Sequence, residues 1–489
     1  MSSAQKRSLS STSCDTRFDD LTRVLYATDA SIYRVAPGAV AFPADPEKCA
    51  AVVRAAAQSG LGITPRGAGT GLTGGALGEG LVVDLARHLW EVRSFDPEGR
   101  TIEVGAGVIL DELNRVLEPH DLWFGPDVAT SSRATLGGMI ANNSSGAHAP
   151  VYGTTADHVE ALEVVLADGS TAWVGRGRDG FEGLRTQSEE VVRRHRREIE
   201  RRLPANLVKR RPGYDFQRFL SDPSDLAGLM AGSEGTLGII TTAILRVVPL
   251  PRRRGLGVVF FRLVSDAMQA MMELVSLEPA AVEHLDRLVF DQSRGRLAFA
   301  AARSFLRLDE KPCESLLLVE FFDEADDRLS ELVGLGIGER CVICADEGER
   351  ELVWHLRRAG LSLVTSCVGP AKPMTIIEDS CVRPRDLAAY VAGMEGILES
   401  LGLEASFYGH AASGLLHVRP TLDLHRVEMS PGCVRWLSRS PIWCVNSTGL
   451  SPVNMASVWP VPSFWRIISV LTSRRRWGIS RKSSTRAAS

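Results

Sequence analysis

The chain has 489 residues, of which 44% are hydrophobic and 24% are charged, and its formal net charge is −3. This composition is typical of a soluble globular protein with two or three domains, and the small net charge argues against nucleic acid as a partner. No apolar run is long enough to span a membrane, and residues 1–20 lack the apolar segment of a signal peptide. We therefore predict a cytoplasmic protein in which residues 1–20 form a mobile leader.

The cysteines agree with that location. There are nine, scattered along the chain, and this odd number indicates reduced thiols. Cys341 and Cys344 form a C-x-x-C pair without a second pair, for which we favour a structural role over a redox or metal-binding one. No group of cysteines has the spacing of an iron–sulfur site, so we expect no such cluster in this chain.

The first predicted elements belong to an α+β unit. A strand, a proline-bounded turn and a helix are predicted over residues 39–64. Strands at 81–85 and 101–105 follow, and then a helix at 109–118.

The first glycine segment, residues 65–75, has the sequence P-R-G-A-G-T-G-L-T-G-G. Its glycines leave backbone N–H groups exposed, as a pyrophosphate requires. The spacing from Gly69 to Gly74 also satisfies the G-x-G-x-x-G pattern of dinucleotide-binding folds, but that pattern should open a helix, and here a strand follows. We therefore predict a phosphate-binding loop of another fold, with a flexible surface loop as the alternative.

Two further glycine segments follow. The second, residues 125–146, interleaves glycine with small hydroxyl and amide side chains that can donate hydrogen bonds to a polar ligand. A strand at 159–166 and a hairpin turn at Asp168–Gly169 come next, and the basic stretch 176–203 is interpreted as a solvated helix. The third glycine segment, residues 231–241, leads into another strand.

The sequence changes character at Arg252-Arg253-Arg254, which we interpret as a linker. Strands and helices alternate beyond it with few glycine-rich loops, which indicates a second α+β domain. Its predicted elements include strands at 257–261 and 316–321 and helices at 264–277 and 385–401. We place the first domain at residues 21–251 and the second at 255–428.

Together the three glycine segments resemble the flavin site of the FAD-linked oxidases, the family of D-lactate dehydrogenase, the glycolate oxidase flavoprotein subunit and D-2-hydroxyglutarate dehydrogenase. The stretches Asp29–Tyr33 and Lys209–Tyr214 also match, and the resemblance covers roughly residues 20–428. It implies a vanillyl-alcohol-oxidase (PCMH) type FAD-binding domain of two α+β subdomains, followed by a ferredoxin-like α+β cap domain that carries the substrate.

The resemblance also implies which residues hold FAD. Backbone N–H groups of the first glycine segment would bind the pyrophosphate, and residues of the other two segments would line the rest of the cofactor. The flavin is expected to be non-covalent, with a covalent link to His148 left open. The implied residues are Arg66, Gly67, Ala68, Gly69, Thr70, Gly71, Asp127, Ser131, Gly137, Gly138, Asn142, Ser145, Val159, Glu234, Gly238 and Ile240.

In the second domain, F-Y-G-H-A-A-S-G-L-L-H at 407–417 is similar to the family's G-H-x-G-D-G-N-L-H motif. The similarity implies that His410 and His417 bind a divalent metal, zinc or manganese, which would polarise the hydroxyl or carboxylate of a 2-hydroxy acid. Ser413 and Leu415 stand where the family has Asp and Asn.

Two cationic residues, Arg357 and Lys372, complete the catalytic set that the resemblance implies. The other two members of this set are His410 and His417. Arg357 and Lys372 match positions that hold the substrate carboxylate in relatives, and a guanidinium fork suits a carboxylate; a surface location is the alternative for both. Arg419, in H-V-R-P, points to the branch of longer proteins that end in an iron–sulfur domain, and Glu378-Asp379 is interpreted as structural.

Residues 429–489 do not fit the resemblance. They contain no Asp or Glu, nine Arg or Lys residues and five of the nine tryptophans. The family's G-E-H-G-like motif, which supplies a further metal ligand and a proton-accepting histidine, is absent. We interpret this tail as a shifted reading frame, with a basic and aromatic tether to a membrane or nucleic acid as the alternative.

The sequence therefore predicts an FAD-dependent oxidoreductase that oxidises D-lactate, glycolate or D-2-hydroxyglutarate by hydride transfer to flavin N5. The electron acceptor would be a quinone or an iron–sulfur or other electron-transfer protein, and peripheral association with a membrane and the oligomeric state are left open. Two other hypotheses are a catalytically impaired flavin-binding fragment that needs a partner subunit, and an oxygen-using oxidase of a sugar or alcohol.

Overall fold

The computed structural model describes residues 1–202, 207–208, 213–375, 377–423, 441–446 and 449–454. Residues 209–212 of the Lys209–Tyr214 stretch, the side chains of Glu378 and Asp379, and most of the tail from residue 429 lie outside the described part. The described tail residues form two paired strands. Across the described residues, every helix is too short or too polar to span a bilayer.

The first subdomain is a four-stranded sheet packed on helices. The strands are arranged in the order β1-β2-β4-β3, with β2, β4 and β3 parallel and β1 antiparallel. The elements, in chain order, are α1 (Ser3–Ser10), β1 (Asp15–Arg17), α2 (Asp20–Leu25), β2 (Ala39–Phe42), α3 (Pro46–Gln58), β3 (Ile63–Arg66) and β4 (Leu81–Asp84). Strands β3 and β4 flank the first glycine segment, as predicted.

The amino-terminal residues are not the mobile leader expected from the sequence. Ser2 caps α1 in a capping box, which satisfies the first backbone N–H groups of the helix. Leu9 is completely buried against the core that α3 also forms, and β1 adds a strand to the sheet. Apolar burial and strand pairing therefore hold residues that composition alone marked as mobile.

The second subdomain contains a six-stranded sheet in the order β10-β9-β8-β11-β6-β5, and a short β12–β7 pair. Helix α5 lies within the second glycine segment, and β11 begins within the last residues of the third. The strands are β5 (Val92–Asp96), β6 (Thr101–Gly105), β7 (Leu122–Trp123), β8 (Val159–Val165), β9 (Thr171–Gly175), β10 (Arg178–Asp179), β11 (Ile239–Arg246) and β12 (Val248–Pro249). The helices are α4 (Leu110–Leu117), α5 (Leu136–Asn142), α6 (Ala149–Tyr152), α7 (Glu182–Arg194), α8 (Arg196–Arg202), α9 (Phe216–Ser221) and α10 (Leu226–Met230).

The second domain is built on one large sheet in the order β16-β13-β15-β14-β19-β20-β17, with β18 also paired to β20. Alternate residues of β13 enter two different hydrophobic clusters, one on each face of the sheet. Its strands are β13 (Arg254–Phe261), β14 (Ala281–Asp286), β15 (Ser315–Phe322), β16 (Arg340–Ile343), β17 (Lys372–Pro373), β18 (Ile377–Cys381), β19 (Ala405–His410) and β20 (Leu415–Leu422). The tail strands are β21 (Pro441–Asn446) and β22 (Gly449–Asn454).

Helices cover both faces of this sheet. The predicted helix at 264–277 is divided at Ala270 into α11 and α12, and the predicted helix at 385–401 is α18. The helices are α11 (Val264–Gln269), α12 (Met271–Ser276), α13 (Arg287–Asp291), α14 (Ala300–Phe305), α15 (Ala325–Gly334), α16 (Glu347–Arg358), α17 (Gly360–Thr365) and α18 (Leu387–Ser400). Short 3-10 turns occur at Glu118–His120, Thr155–His158, Leu297–Phe299, Pro384–Asp386 and Ala411–Ser413.

The expected linker at 252–254 is partly a strand. Arg254 is the first residue of β13, and its guanidinium lies 5.4 Å from the ring centre of Trp123 and 5.2 Å from that of Phe322. This side chain therefore packs between rings of the first and second domains, and the domain junction is a contact surface.

Candidate active site

The three glycine segments meet at one cavity of about 350 Å³, which side chains of the second domain also line. Both domains therefore contribute to a single site. The predicted residues that line it are Arg66, Gly67, Ala68, Gly69, Thr70, Gly71, Gly137, Gly138, Asn142, Ser145, Glu234, Gly238, Ile240, Arg357, His410 and His417.

Four predicted residues are not among those that line this cavity. Val159 begins β8, and its side chain is buried in the hydrophobic core. Lys372 donates a hydrogen bond from Nζ to the carbonyl of Cys367. Ser131 and Asp127 belong to the second glycine segment, but Asp127 lines a smaller neighbouring cavity, and its carboxylate is engaged by a histidine.

Glycine is required where the first and second segments touch. A Cβ atom at Gly67 would collide with the hydroxyl of Thr135, and Gly69 has a φ of +67°, in the left-handed region that favours glycine. Arg66 anchors the same loop from outside, since its Nη2 donates to the carbonyl of Thr28 at 2.9 Å. The absence of side chains thus brings the backbone of the two segments together at the cavity.

The Gly67 contact gives a testable result. We expect Gly67→Ala to reduce FAD retention strongly, because the added methyl group pushes the first segment away from Thr135. Gly62→Ala is the matched control, since a Cβ there meets no atom within 4 Å and Gly62 is not among the residues that line the cavity. FAD content after gel filtration, measured by absorbance, checks both; equal retention in the two variants would contradict the expectation.

Unpaired polar atoms at the cavity fit a polar cofactor. Thr135 Oγ1 and Ser145 Oγ are buried and have no hydrogen-bond partner among the described residues. Buried hydroxyls normally have partners, so a bound ligand with phosphate and ribityl oxygens would satisfy them. Glu234 also lines the cavity, and burial raises the pKa of its carboxyl group.

The second domain contributes a buried group of three charged or polar side chains. Arg357 comes from α16, His410 from the end of β19 and Glu283 from β14. Glu283 Oε1 lies 2.7 Å from His410 Nδ1, and its Oε2 lies 2.5 Å from Arg357 Nη2. The pKa of Glu283 is lowered: burial opposes the shift, but the charge of Arg357 and the hydrogen bond from His410 outweigh it. This carboxylate therefore remains ionised beside the cavity.

A second buried guanidinium lines the same cavity. Arg419 on β20 is 1% exposed, and its Nη2 lies 3.1 Å from the hydroxyl oxygen of Tyr408. The guanidinium carbons of Arg357 and Arg419 lie 5.5 and 5.4 Å from the ring centre of Tyr408. Two positive charges thus lie close to one tyrosine ring.

The predicted histidine pair is brought together. The rings of His410 and His417 have centres 5.7 Å apart, face each other edge to face, and both line the cavity. Within the described ranges, however, no group of three or more His, Cys, Asp or Glu side chains is arranged to hold a metal ion. Two imidazoles are too few for a protein zinc site, which normally has three or four protein ligands, so the described residues do not form the expected metal centre.

His148 joins the two domains. Its Nε2 lies 2.5 Å from Glu320 Oε2 on β15, and its Nδ1 lies 3.2 Å from Asp127 Oδ2. Burial lowers the pKa of His148, but Asp127 and Glu320 outweigh it and raise that pKa to about 10. A protonated imidazole has no lone pair with which to attack a flavin, and His148 lines only the smaller neighbouring cavity. This geometry argues against the covalent link that the sequence left open.

Glu283 and Glu320 were missed by sequence reasoning. Each stands in a strand that is almost wholly buried, with the sequence A-V-E-H-L-D for β14 and S-L-L-L-V-E-F-F for β15. A carboxylate in a buried strand must be paired, and that rule could have identified both. The seven cysteines within the described residues are free, and burial raises the pKa of Cys341 to about 11 and of Cys344 to about 12, in agreement with the preferred structural role.

Two family models match consecutive regions of the chain. The model described as FAD binding domain matches residues 37–175, and the model described as FAD linked oxidases, C-terminal domain matches residues 250–433. Together they span about two thirds of the chain. Their order agrees with the two domains, and the first match contains the first and second glycine segments.

Similar proteins include D-2-hydroxyglutarate dehydrogenase of Escherichia coli (strain K12), 34% identical over 441 residues, covering 84% of this chain and 43% of that protein. D-lactate dehydrogenase of Archaeoglobus fulgidus is 29% identical, and the match covers 81% of this chain and 79% of that protein. The chain thus spans less than half the length of the first relative.

Among solved structures, the 4-ethylphenol oxidase from Gulosibacter chungangensis in its isoeugenol complex has a TM-score of 0.65 at 16% identity, and 96% of each chain is covered. At that identity the likeness concerns the fold alone. It confirms the predicted α+β fold.

Proposed function

Because the chain belongs to the family of FAD-linked oxidases, we propose that it binds FAD and oxidises a small D-2-hydroxy acid to the 2-oxo acid. One observation carries this proposal: the cavity lined by the three glycine segments is also lined by Arg357 and His410 of the second domain. A cofactor held by glycine backbone and a substrate held by cationic side chains would therefore meet in one enclosed space.

Arg357 would bind the substrate carboxylate. It is 5% exposed, its Nη2 is held by Glu283, and its Nε has no hydrogen-bond partner among the described residues. A guanidinium with free N–H groups recognises a carboxylate in two-point contact. Lys372, the other cation expected at this position, is bonded to a backbone carbonyl and is left out of the proposed contact.

His410 would face the hydroxyl group of the bound acid. Its Nδ1 is held by Glu283, which leaves Nε2 for the cavity, and an imidazole nitrogen can accept the hydroxyl proton while the C–H bond is broken. Bound FAD supplies the acceptor for the hydride, at flavin N5. His417 stands beside His410 and helps to enclose the same space. A zinc or manganese ion on these imidazoles would need further ligands, so no step of the proposal depends on a metal.

Among the candidate acids, we propose one with two carboxylates, as in D-2-hydroxyglutarate. Arg357 and Arg419 both line the cavity and flank Tyr408, and two buried guanidiniums match two carboxylates better than the single carboxylate of D-lactate or glycolate. The relative named D-2-hydroxyglutarate dehydrogenase is also more similar in sequence, at 34%, than the D-lactate dehydrogenase, at 29%.

The electrons would leave to a quinone or to an iron–sulfur or other electron-transfer protein. The greater length of the first relative supports a separate region or partner for this step. A cytoplasmic location is also part of the proposal, and the free cysteines support it.

Anaerobic stopped-flow absorbance tests the substrate. We expect D-2-hydroxyglutarate to bleach the visible flavin band faster than D-lactate or glycolate, because only the first offers a second carboxylate to Arg419. Arg419→Gln should lower the rate with D-2-hydroxyglutarate at least about tenfold, since hydrogen bonds to charged groups contribute roughly 1.5–3 kcal/mol, and should leave slow D-lactate oxidation almost unchanged. Bound flavin that no acid bleaches would refute the proposed activity.

A further inference from the structure

A smaller cavity of about 70 Å³ adjoins the main cavity of about 350 Å³. Arg357, Arg358, Val128 and Gly146 line both, so the two spaces meet at these residues. Among the described residues that line the smaller cavity, none belongs to the first or third glycine segment. A cofactor that extends along all three segments would therefore fill the main cavity and leave the smaller one free as a path to it.

Two consecutive arginines of α16 line both cavities and differ in exposure. The side chain of Arg357 is 6% exposed, whereas that of Arg358 is 46% exposed. Nη2 of Arg358 lies 2.6 Å from Oε2 of Glu351, which also lines the smaller cavity and is itself exposed. The smaller cavity is thus bounded by a charged pair in contact with water at one end and by the buried Arg357 at the other.

The charges around the smaller cavity suit the passage of an anion. Three carboxylates line it, and a cationic side chain engages each of them. The pairs are Asp127 with His148, Glu283 with Arg357, and Glu351 with Arg358. Arg254 is a further cation at this cavity. No carboxylate among the described lining residues therefore meets an incoming dicarboxylate, which is ionised at neutral pH, without a compensating positive charge.

The exposed pair of Arg358 and Glu351 is suited to exchange. An exposed ion pair contributes little to stability, because water screens it. A carboxylate of the substrate can accept the same charge-assisted hydrogen bonds from Arg358 that Glu351 accepts. The side chain of Glu351 is 55% exposed, so water can solvate it once it is released.

We propose that the acid enters through the smaller cavity and that Arg358 is its first contact there. Arg358 exchanges Glu351 for a carboxylate of the acid, which then moves on to Arg357. This inference rests on the proposed function, from which it takes the acid and its contact with Arg357. Arg358 thereby sets the rate at which a dicarboxylate enters, and it takes no part in the oxidation itself.

Glutarate tests the path without turnover, because it has both carboxylates but no hydroxyl group to oxidise. Its association with the FAD-loaded protein is followed in a stopped-flow instrument by the shift of the visible flavin band. We expect Arg358→Gln to lower the association rate constant about fivefold at low salt, since a charge at the rim of a site acts mainly on association. Dissociation should slow by a similar factor, because the bound state is not changed. Added salt should reduce the difference between the proteins.

Glu351→Gln should act in the opposite direction, because it frees the guanidinium of Arg358, and we expect association about twofold faster. In the double variant Arg358→Gln/Glu351→Gln, association should be as slow as in Arg358→Gln, since the loss of Glu351 helps only where Arg358 is present. A purely structural ion pair predicts instead that the two single variants change the rate in the same direction, and that result would overturn the proposal.

The matched control is the pair of Arg262 and Glu339, which is also exposed, with a distance of 2.9 Å, and which lines neither cavity. Arg262→Gln and Glu339→Gln change the net charge by the same amounts as the test variants and should leave the association rate constant unchanged. An effect of Arg358→Gln no larger than that of Arg262→Gln also overturns the path.

Flavin reduction by D-2-hydroxyglutarate separates a failure of the path from a failure of the proposed function. If this acid reduces the flavin but Arg358→Gln leaves glutarate association unchanged, the function stands and the path is wrong. If glutarate associates as expected and no acid reduces the flavin, the oxidation is wrong and the path stands as the entrance to a dicarboxylate site. Glutarate that does not bind in equilibrium dialysis overturns the path.

Discussion

Replacing His148 with glutamine is expected to destabilise the folded protein by about 3–5 kcal/mol, the range for breaking a buried ion pair from one side. The imidazolium lies between Asp127 and Glu320, and the side chain of Glu320 is only 2% exposed. Without His148, the partners that remain for that carboxylate within the described part of the chain are Trp354 Nε1 at 3.3 Å and Arg254 Nε at 3.8 Å. Urea denaturation followed by circular dichroism measures the loss.

His158→Gln is the matched control. His158 is as deeply buried as His148, but burial lowers its pKa, and it contacts backbone carbonyls, including that of Tyr152 at 2.8 Å. Loss of one neutral hydrogen bond should cost only about 1 kcal/mol. The double variant His148→Gln/Glu320→Gln should recover stability by removing the stranded charge. Equal losses in the two single variants would contradict an electrostatic role for His148.

The contacts of His148 with Asp127 and Glu320 also make the free energy of unfolding depend on pH. The pKa of His148 is about 10 in the folded protein, above its ordinary value of 6.5, so its contribution is complete below pH 6.5 and is lost as the pH rises toward 10. The pKa of Asp127 is lowered to about 2, against burial, by the charge of His148. That contribution is complete above pH 3.8 and is lost as the pH falls toward 2. The alkaline loss should be absent in His148→Gln.

Arg357→Met is expected to lower the efficiency of flavin reduction, measured as the limiting reduction rate divided by the substrate dissociation constant, at least about 100-fold. The variant loses two hydrogen bonds from a charged donor to the substrate carboxylate, and each such bond contributes roughly 1.5–3 kcal/mol. Arg262→Met is the control: Arg262 is exposed, is paired with Glu339 at 2.9 Å and is not among the residues that line the cavity. Stopped-flow flavin reduction over a range of D-2-hydroxyglutarate concentrations separates binding from rate.

Two further variants make the Arg357 result specific. Arg357→Lys retains the charge and should recover part of the binding, although an ammonium cannot form a planar two-point contact. FAD content must be measured in each variant, because Arg357→Met also leaves Glu283 without its cationic partner. Normal flavin reduction in Arg357→Met with full FAD content would exclude Arg357 as the carboxylate contact.

The sequence by itself determined the features that depend on local backbone chemistry. Glycine-rich segments leave backbone N–H groups exposed, so the segments at 65–75, 125–146 and 231–241 indicated a polar site lined by backbone. Residues of all three segments line the observed cavity. Strand and helix periodicity likewise predicted β4, β6 and α4 near their observed bounds. The prediction of a mobile amino-terminal leader was wrong. The few apolar side chains in this segment, such as Leu9, hold it in place by packing against a core that is formed by residues distant in sequence.

Only the tertiary structure decided which charges meet. Glu283 and His410 are 127 residues apart and become neighbours through the β14–β19 register, and His148 and Glu320 are 172 residues apart and meet where the two domains touch. Chain spacing encodes neither strand register nor domain packing, since both depend on the collective burial of apolar faces. The ammonium of Lys372 bonds a nearby carbonyl and the side chain of Val159 lies in the core, and both contacts likewise depend on packing. Residue type limits what a side chain can do, but its packed surroundings decide what it contacts.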